Sequence, residues 1–276
     1  DQLVARAALL DPNITVPRKT RPGYLPPWHD ADYFGYAAAR ALLPDGPVRN
    51  VVLVPFGKLG GADYVAGILA AALAERGPTV ILRTDRPDWD RPDWYPEGIE
   101  TVDLSAELAA LRDLEGMPDM GARALYLLLQ QMAPRRILNV NSRLGFETFR
   151  LFGAQLAVHR ALYAYYFCAD RDAHGTEAGY PVWYLQPILP HLAAALCDTA
   201  FLPDRLRARY RIPPSLSDRL VTLYTPAMGR PHDTALVQRQ IATAADRDRP
   251  RILWANRFDR QKRFDLVVEI ARAMPD

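Results

Sequence analysis

A basic segment near the end of the sequence has the residue types needed to hold a phosphate. An apolar run at positions 252–255 is followed by Arg257, Arg260, Lys262 and Arg263, and then by a segment with helical periodicity. Open α/β sheets bind ligands at the carboxyl ends of their strands, and cations placed there neutralise phosphate groups. The spacing therefore predicts an anion site made of a strand, a basic loop and a helix. The alternative is ordinary solvated surface charge.

A pair of glycines follows the first strongly apolar run, at positions 51–55. Gly60 and Gly61 stand at the start of a segment with helical periodicity, and Asp63 lies in its first turn. Adjacent glycines let a ligand approach the backbone, and a helix N-terminus favours a negative group. The spacing fits neither the dinucleotide fingerprint nor the P-loop. A tight turn whose glycines only permit helix–strand packing is the alternative.

Polar residues follow two later apolar runs, where strand ends face a ligand crevice. The candidates for contacts with a hydroxyl-bearing ligand are Asn141, Ser142, Asp170 and His174. No second His or Cys stands at ligand spacing from His174, so no metal site is predicted.

Other side chains leave two questions open. Asp85 follows the second apolar run, where an NAD enzyme would hold a ribose, and this keeps an oxidoreductase as an alternative. Trp89, Trp94 and Tyr95 lie in the following loop, where they would either stack on a sugar ring or cover the edge of the sheet.

These candidates need a scaffold of alternating strands and helices. Apolar runs predict strands at 51–55, 79–82, 99–104, 136–140, 161–168, 199–202 and 220–224. Helical periodicity predicts helices at 30–43, 62–76, 122–132, 145–159 and 203–210, with another beginning near Pro187. The alternation predicts an α/β protein with a doubly wound, Rossmann-like parallel sheet.

Composition changes divide the chain into four parts. We expect an amino-terminal arm and helix at 1–48, a Rossmann-like domain at 49–225, an interdomain linker at 226–250 and the start of a second domain at 251–276. The linker is polar and contains a run of alternating charges. We therefore expect the sequence to stop within a truncated second domain of a longer protein.

The combination of these motifs resembles GT-B glycosyltransferases of family 4. That family has a strand, a small residue with Arg, then Glu/Gln-Lys and an Asp-Leu helix at the start of its carboxyl-terminal domain. The matching segments here are Ala255-Asn256-Arg257, Gln261-Lys262 and Asp265-Leu266-Val267. The segment Gly60-Gly61-Ala62-Asp63 stands where the family has Gly-Gly-(Ala/Ser)-Glu.

The resemblance implies transfer of a sugar from a nucleotide-diphosphate sugar to an acceptor hydroxyl, in polysaccharide or glycoconjugate synthesis. It implies a retaining, metal-independent reaction that uses no cofactor beyond the nucleotide sugar. Arg257 and Lys262 would neutralise the leaving diphosphate, and the loop with Gly60, Gly61 and Asp63 would lie against the donor phosphates and the acceptor. The polar candidates after the later strands would contact the acceptor.

This sequence lacks the family's Glu-x7-Glu motif and its nucleotide pocket. We therefore expect the piece to be inactive by itself. A non-catalytic glycosyltransferase-like module that binds carbohydrate or supports assembly is the first alternative, and an NAD-dependent oxidoreductase is the second.

Composition limits the partners. A net charge of +2 over 276 residues is too mild to indicate nucleic acid as a partner. Two cysteines far apart predict no disulfide framework and fit a cytoplasmic protein. The basic series Arg205, Arg207, Arg209 and Arg211 favours a solvated helix face. It is also compatible with peripheral membrane contact and a lipid-linked acceptor.

Overall fold

The computed structural model describes residues 30–58, 60–112, 119–172, 174–226, 234–245, 254–255 and 262–274. Most of the predicted arm, part of the predicted strand at 252–255, and Arg257 lie outside the described residues.

Strands and helices alternate along most of the described chain. The strands are β1 (Asn50–Val54), β2 (Thr79–Arg83), β3 (Glu100–Asp103), β4 (Arg136–Val140), β5 (Ala161–Tyr166), β6 (Asp170–Arg171), β7 (Glu177–Ala178), β8 (Ala194–Cys197) and β9 (Leu220–Thr222). The helices are α1 (Asp30–Ala41), α2 (Gly61–Ala74), α3 (Ser105–Arg112), α4 (Met120–Met132), α5 (Arg143–Ala157), α6 (Tyr180–Trp183), α7 (Leu185–Ile188), α8 (Phe201–Tyr210), α9 (Pro214–Ser217), α10 (Thr234–Ala245) and α11 (Phe264–Ala273). Short 3₁₀ turns occur at Pro92–Trp94 and Leu189–His191.

Seven parallel strands form the central sheet, in the order β3-β2-β1-β4-β5-β8-β9. The chain moves outward from β1 through β2 to β3, then returns to the other side of β1 and moves outward from β4. The strand order therefore reverses between β1 and β4, which are direct neighbours in the sheet. This arrangement confirms the predicted α/β, doubly wound, Rossmann-like fold, and such a reversal is where open α/β sheets bind ligands.

The core explains why the central strands read as continuous apolar runs. Every residue of β1 is buried, and so are four of the five residues of β4. A parallel strand covered by helices on both faces has no polar side to alternate with. Helix α2 packs on β1 and β2, and α4 packs on α5 through buried residues such as Leu125, Leu128 and Phe149.

The structure corrects the sequence prediction in the later part of the chain. The predicted strand at 199–202 is wrong, because β8 lies at Ala194–Cys197 and Phe201 already begins α8. The apolar run from Leu185 onward is long enough to suggest one helix. In the structure it is divided between α7, a 3₁₀ turn and β8. Helices α3 and α10 and the small hairpin β6–β7 were also not predicted. The two described residues of the predicted strand at 252–255 are not in a strand.

The described chain groups into two compact units. The first contains the described residues up to Tyr165 together with Pro187–Ala195, and the second contains Tyr166–Gln186 and the described residues from Leu196 onward. The domain boundaries expected from the sequence stay a prediction.

Candidate ligand-binding edge of the sheet

The glycine pair after β1 lies at the start of α2. Gly60 is the N-cap in extended backbone and makes no side-chain cap, while Gly61 is the exposed first residue of the helix. A Cβ added at Gly61 would meet no described heavy atom within 4 Å, and one at Gly60 would meet only Asp63 Oδ2, at 3.1 Å. Neither glycine has a positive φ. Packing among the described residues therefore does not require glycine at position 61.

Gly57 and Gly67, on either side of this pair, have no room for a side chain, because the loop after β2 packs against them. A Cβ at Gly57 would lie 2.2 Å from the Trp89 ring, and one at Gly67 would lie 2.0 Å from the Trp94 carbonyl oxygen. The Gly57 N–H donates to the Asp88 carbonyl at 2.8 Å. The loop is thus folded down onto the segment that carries the glycine pair.

The aromatic residues of this loop pack against one another and against α2. Trp89 stacks on Tyr95 with ring centroids 4.5 Å apart, and Trp94 meets Tyr64 of α2 edge to face at 5.7 Å. Tyr95 is buried. Of the two interpretations left open by the sequence, these contacts support the covering role.

Asp63 is the ionisable group most altered by this packing. It is only 5 % exposed, and burial raises the pKa of its carboxyl to about 7. Hydrogen bonds from the backbone N–H groups of Lys58 and of Asp63 itself oppose this rise in pKa, and the nearby Asp90 charge adds to it. The buried Tyr95 hydroxyl has no hydrogen-bond partner among the described residues. Its pKa is raised by burial first and then by Asp63. Asp63 can therefore hold or release a proton near neutral pH.

The carboxyl end of β4 lies beside that of β1 and holds a closed hydrogen-bond network. Asn139 is fully buried; its Oδ1 accepts from the Ser142 N–H and its Nδ2 donates to the Ser142 carbonyl, both at 3.1 Å. Ser142 Oγ accepts from the Gly145 N–H at 2.8 Å and shares a 2.6 Å hydrogen bond with Thr84 Oγ1. Ser142 is thus a buried N-cap of α5. Asn141 is partly exposed, at a positive φ of 64°.

Asp85 ties the end of β2 to the same helix. Its two carboxylate oxygens accept from the backbone N–H groups of Arg143 at 3.0 Å and Leu144 at 3.2 Å. A carboxylate at a helix N-terminus satisfies otherwise unpaired N–H groups and interacts well with the helix dipole. The side chain that an NAD enzyme would use for the ribose is therefore engaged within the fold.

In the second unit, Asp170 and His174 are exposed residues of the β6–β7 hairpin. Asp172 Oδ1 accepts from the backbone N–H groups of His174 and Thr176, both at 2.9 Å. Glu177 forms ion pairs with Arg205 and Arg209 of α8. Two of the four arginines in the predicted basic series therefore hold the hairpin against α8.

Lys262 also belongs to the second unit and is exposed just before α11. Its carbonyl accepts from Trp254 Nε1 at 3.3 Å, and the Trp254 ring lies 4.8 Å from that of Phe264. Arg257, the other residue predicted to neutralise a diphosphate, lies outside the described residues.

The structure adds features that the sequence did not indicate. Burial of Asp63 depends on the fold of the loop after β2, which carries no periodic signal, and capping by Asp85 depends on the sheet order. Within the described ranges, no cluster of three or more His, Cys, Asp or Glu side chains could hold a metal ion. None of the described helices is long and apolar enough to cross a membrane.

Comparison with known families and with curated proteins finds no match to this sequence.

Proposed function

We propose that the parent protein is a glycosyltransferase that moves a sugar from a nucleotide-diphosphate sugar to an acceptor hydroxyl. The observation that supports this most is the position of Gly61. It is exposed at the helix start that follows β1, next to the point where the strand order reverses, and no described atom explains why it is glycine. A ligand that approaches the backbone there would explain it.

The chemistry follows from the charge of the leaving group. A departing nucleoside diphosphate gains negative charge, and fixed donors and cations that meet this charge lower the barrier. We assign this role to Arg257 and Lys262, with the amides of Gly60 and Gly61 as further donors. Asn141, Asp170 and His174 are the proposed acceptor contacts. Because the Ser142 hydroxyl caps α5, we assign Ser142 to holding Asn141 and the helix start in place.

An oxidoreductase is less well supported by this geometry. Asp85 stands where a ribose-binding carboxylate would, but both of its oxygens accept from amides of α5. A ribose would have to compete with these charge-assisted hydrogen bonds.

The proposal is tested with the full-length protein and a panel of nucleotide sugars. We expect Gly61→Val to fold normally, because its Cβ has open space, and to lose sugar transfer. Gly46→Val is the matched control: Gly46 is also exposed, with no described atom near its Cβ, but lies in the loop before β1. Normal transfer by Gly61→Val would show that no ligand approaches this helix start.

Two further variants examine the proposed cations. Arg257→Ala and Lys262→Ala should each lower transfer strongly while the protein stays folded, since each removes a charge that meets the diphosphate. Normal transfer by both variants would refute their assignment. Saturable binding of a nucleotide sugar without turnover would instead favour the non-catalytic module.

A further inference from the structure

Two cations from different loops gather around one aromatic ring at the carboxyl edge of the sheet. Phe56 follows β1, and its ring centroid lies 5.0 Å from Arg86 Cζ and 5.7 Å from Lys58 Nζ. The two charges are therefore at most about 11 Å apart. Arg86 is exposed, and Phe56 and Lys58 are partly exposed.

The two cations differ in their ion pairs. Lys58 Nζ lies 3.4 Å from Asp88 Oδ1, whereas Arg86 forms no ion pair with any described residue. Two nearby arginines are matched: Arg83, at the end of β2, pairs with a carboxylate at the end of β3, and Arg91, in the same loop as Arg86, pairs with Asp93. Arg86 is therefore the cation of this pair whose charge no described carboxylate meets in an ion pair.

We propose that Arg86 and Lys58 bind a phosphate group of a ligand at this edge of the sheet. A guanidinium presents several N–H donors in one plane and suits phosphate oxygens, while an ammonium adds a compact charge. The cation–π contact with Phe56 restrains the guanidinium, so less side-chain freedom is lost when the phosphate binds.

This inference rests on the proposed function for the identity of the ligand, because the cation pair lies on the same edge as Gly60 and Gly61. The phosphate belongs either to the nucleotide-diphosphate donor or to a phosphorylated acceptor. The cation pair recognises the chemistry that both share.

The experiment measures binding of inorganic phosphate to the chain by titration calorimetry, with ionic strength held constant by NaCl. Arg86→Met keeps an unbranched side chain over Phe56 but removes the charge, and Lys58→Met does the same for the second cation. We expect Arg86→Met to weaken phosphate binding by about tenfold or more, which is typical for the loss of one charge-assisted contact. Lys58→Met should weaken binding as well.

Arg91→Met is the matched control. Arg91 lies in the same loop and likewise makes a cation–π contact, with Cζ 4.5 Å from the Trp94 ring centroid, but it is already paired with Asp93. We expect the Arg91→Met variant to bind phosphate with the same affinity as the wild type. Absence of phosphate binding by the wild type, normal binding by Arg86→Met, or an equal loss in Arg91→Met would each overturn the inference. Circular dichroism and the thermal midpoint show whether each variant folds.

Two ligand arms identify the source of the phosphate. Tighter, Arg86-dependent binding of a nucleoside diphosphate assigns the cation pair to the donor, and tighter binding of a hexose phosphate assigns it to the acceptor. The outcomes also separate the two proposals. Arg86-dependent phosphate binding without sugar transfer by the full-length protein overturns only the proposed function, and sugar transfer without such binding overturns only this inference.

Discussion

Replacing Asp63 with Asn should remove a pH-dependent loss of stability. In this fold the pKa of the Asp63 carboxyl is raised from its ordinary value of 3.8 to about 7, mainly by burial. The folded state therefore favours the neutral carboxyl. Below about pH 4 the folded and unfolded states both hold the proton, and the group has no differential effect. Between pH 4 and 7 the unfolded chain releases its proton first, so the free energy of unfolding falls as pH rises. Each pH unit in this window costs about 1.4 kcal/mol, which gives at most about 4 kcal/mol above pH 7.

Urea denaturation at a series of pH values between 4 and 8 measures this effect. The Asn side chain does not titrate and can still accept a hydrogen bond, so Asp63→Asn should escape the loss. The difference in unfolding free energy, variant minus wild type, should grow by up to about 4 kcal/mol from pH 4 to pH 8. Using this difference cancels the titration of all other groups.

A matched control separates burial from charge. Asp45→Asn removes one carboxylate from an exposed position in the loop before β1. Its difference from the wild type should stay within about 0.5 kcal/mol at every pH. A difference for Asp63→Asn that is equally flat between pH 4 and 8 would refute the reasoning, because the carboxyl would then titrate alike in the folded and unfolded states.

Three other perturbations test the packing around this edge and in the second unit. Ser142→Ala removes the cap of α5 and a buried hydroxyl contact, so urea denaturation should show a loss of about 1–3 kcal/mol. Gly67→Ala would usually stabilise a helix, but here its Cβ would lie 2.0 Å from the Trp94 carbonyl oxygen, and the thermal midpoint should fall. Cys168 is exposed, whereas burial raises the pKa of the Cys197 thiol to about 12. Iodoacetamide at pH 8 should therefore modify Cys168 in the folded protein and Cys197 only after unfolding, and peptide mass spectrometry would show equal labelling if this is wrong.

The sequence predicted the central sheet well because its signal is local. Buried parallel strands such as β1 and β4 are continuous apolar runs, and the helices beside them show helical periodicity. These features depend only on neighbours along the chain, so β1 to β5 and the helices α2, α4 and α5 were expected near their observed positions. Hydrophobic periodicity does not predict the structure after Leu185, where one apolar run forms a helix, a 3₁₀ turn and β8 in succession. The choice there depends on which residues reach the sheet, and this is a long-range property.

At the candidate ligand-binding edge, too, some features could be predicted from local sequence and others depend on long-range contacts. A glycine pair after the first strand could be found from spacing alone, and it indeed lies at the carboxyl end of β1. The residues beside the pair could not be found in this way, because Asp85, Arg86 and Trp89 belong to a loop without periodicity. Contacts with Gly57 and with α5 set the conformation of that loop. Thus the residue that looked most like a ribose ligand is a helix cap, while Arg86, which had no motif, stands beside Phe56 without an ion-pair partner among the described residues. Motifs locate the edge of the sheet where a ligand is expected, but the pairing of charges in space decides which of its cations remain available to a phosphate.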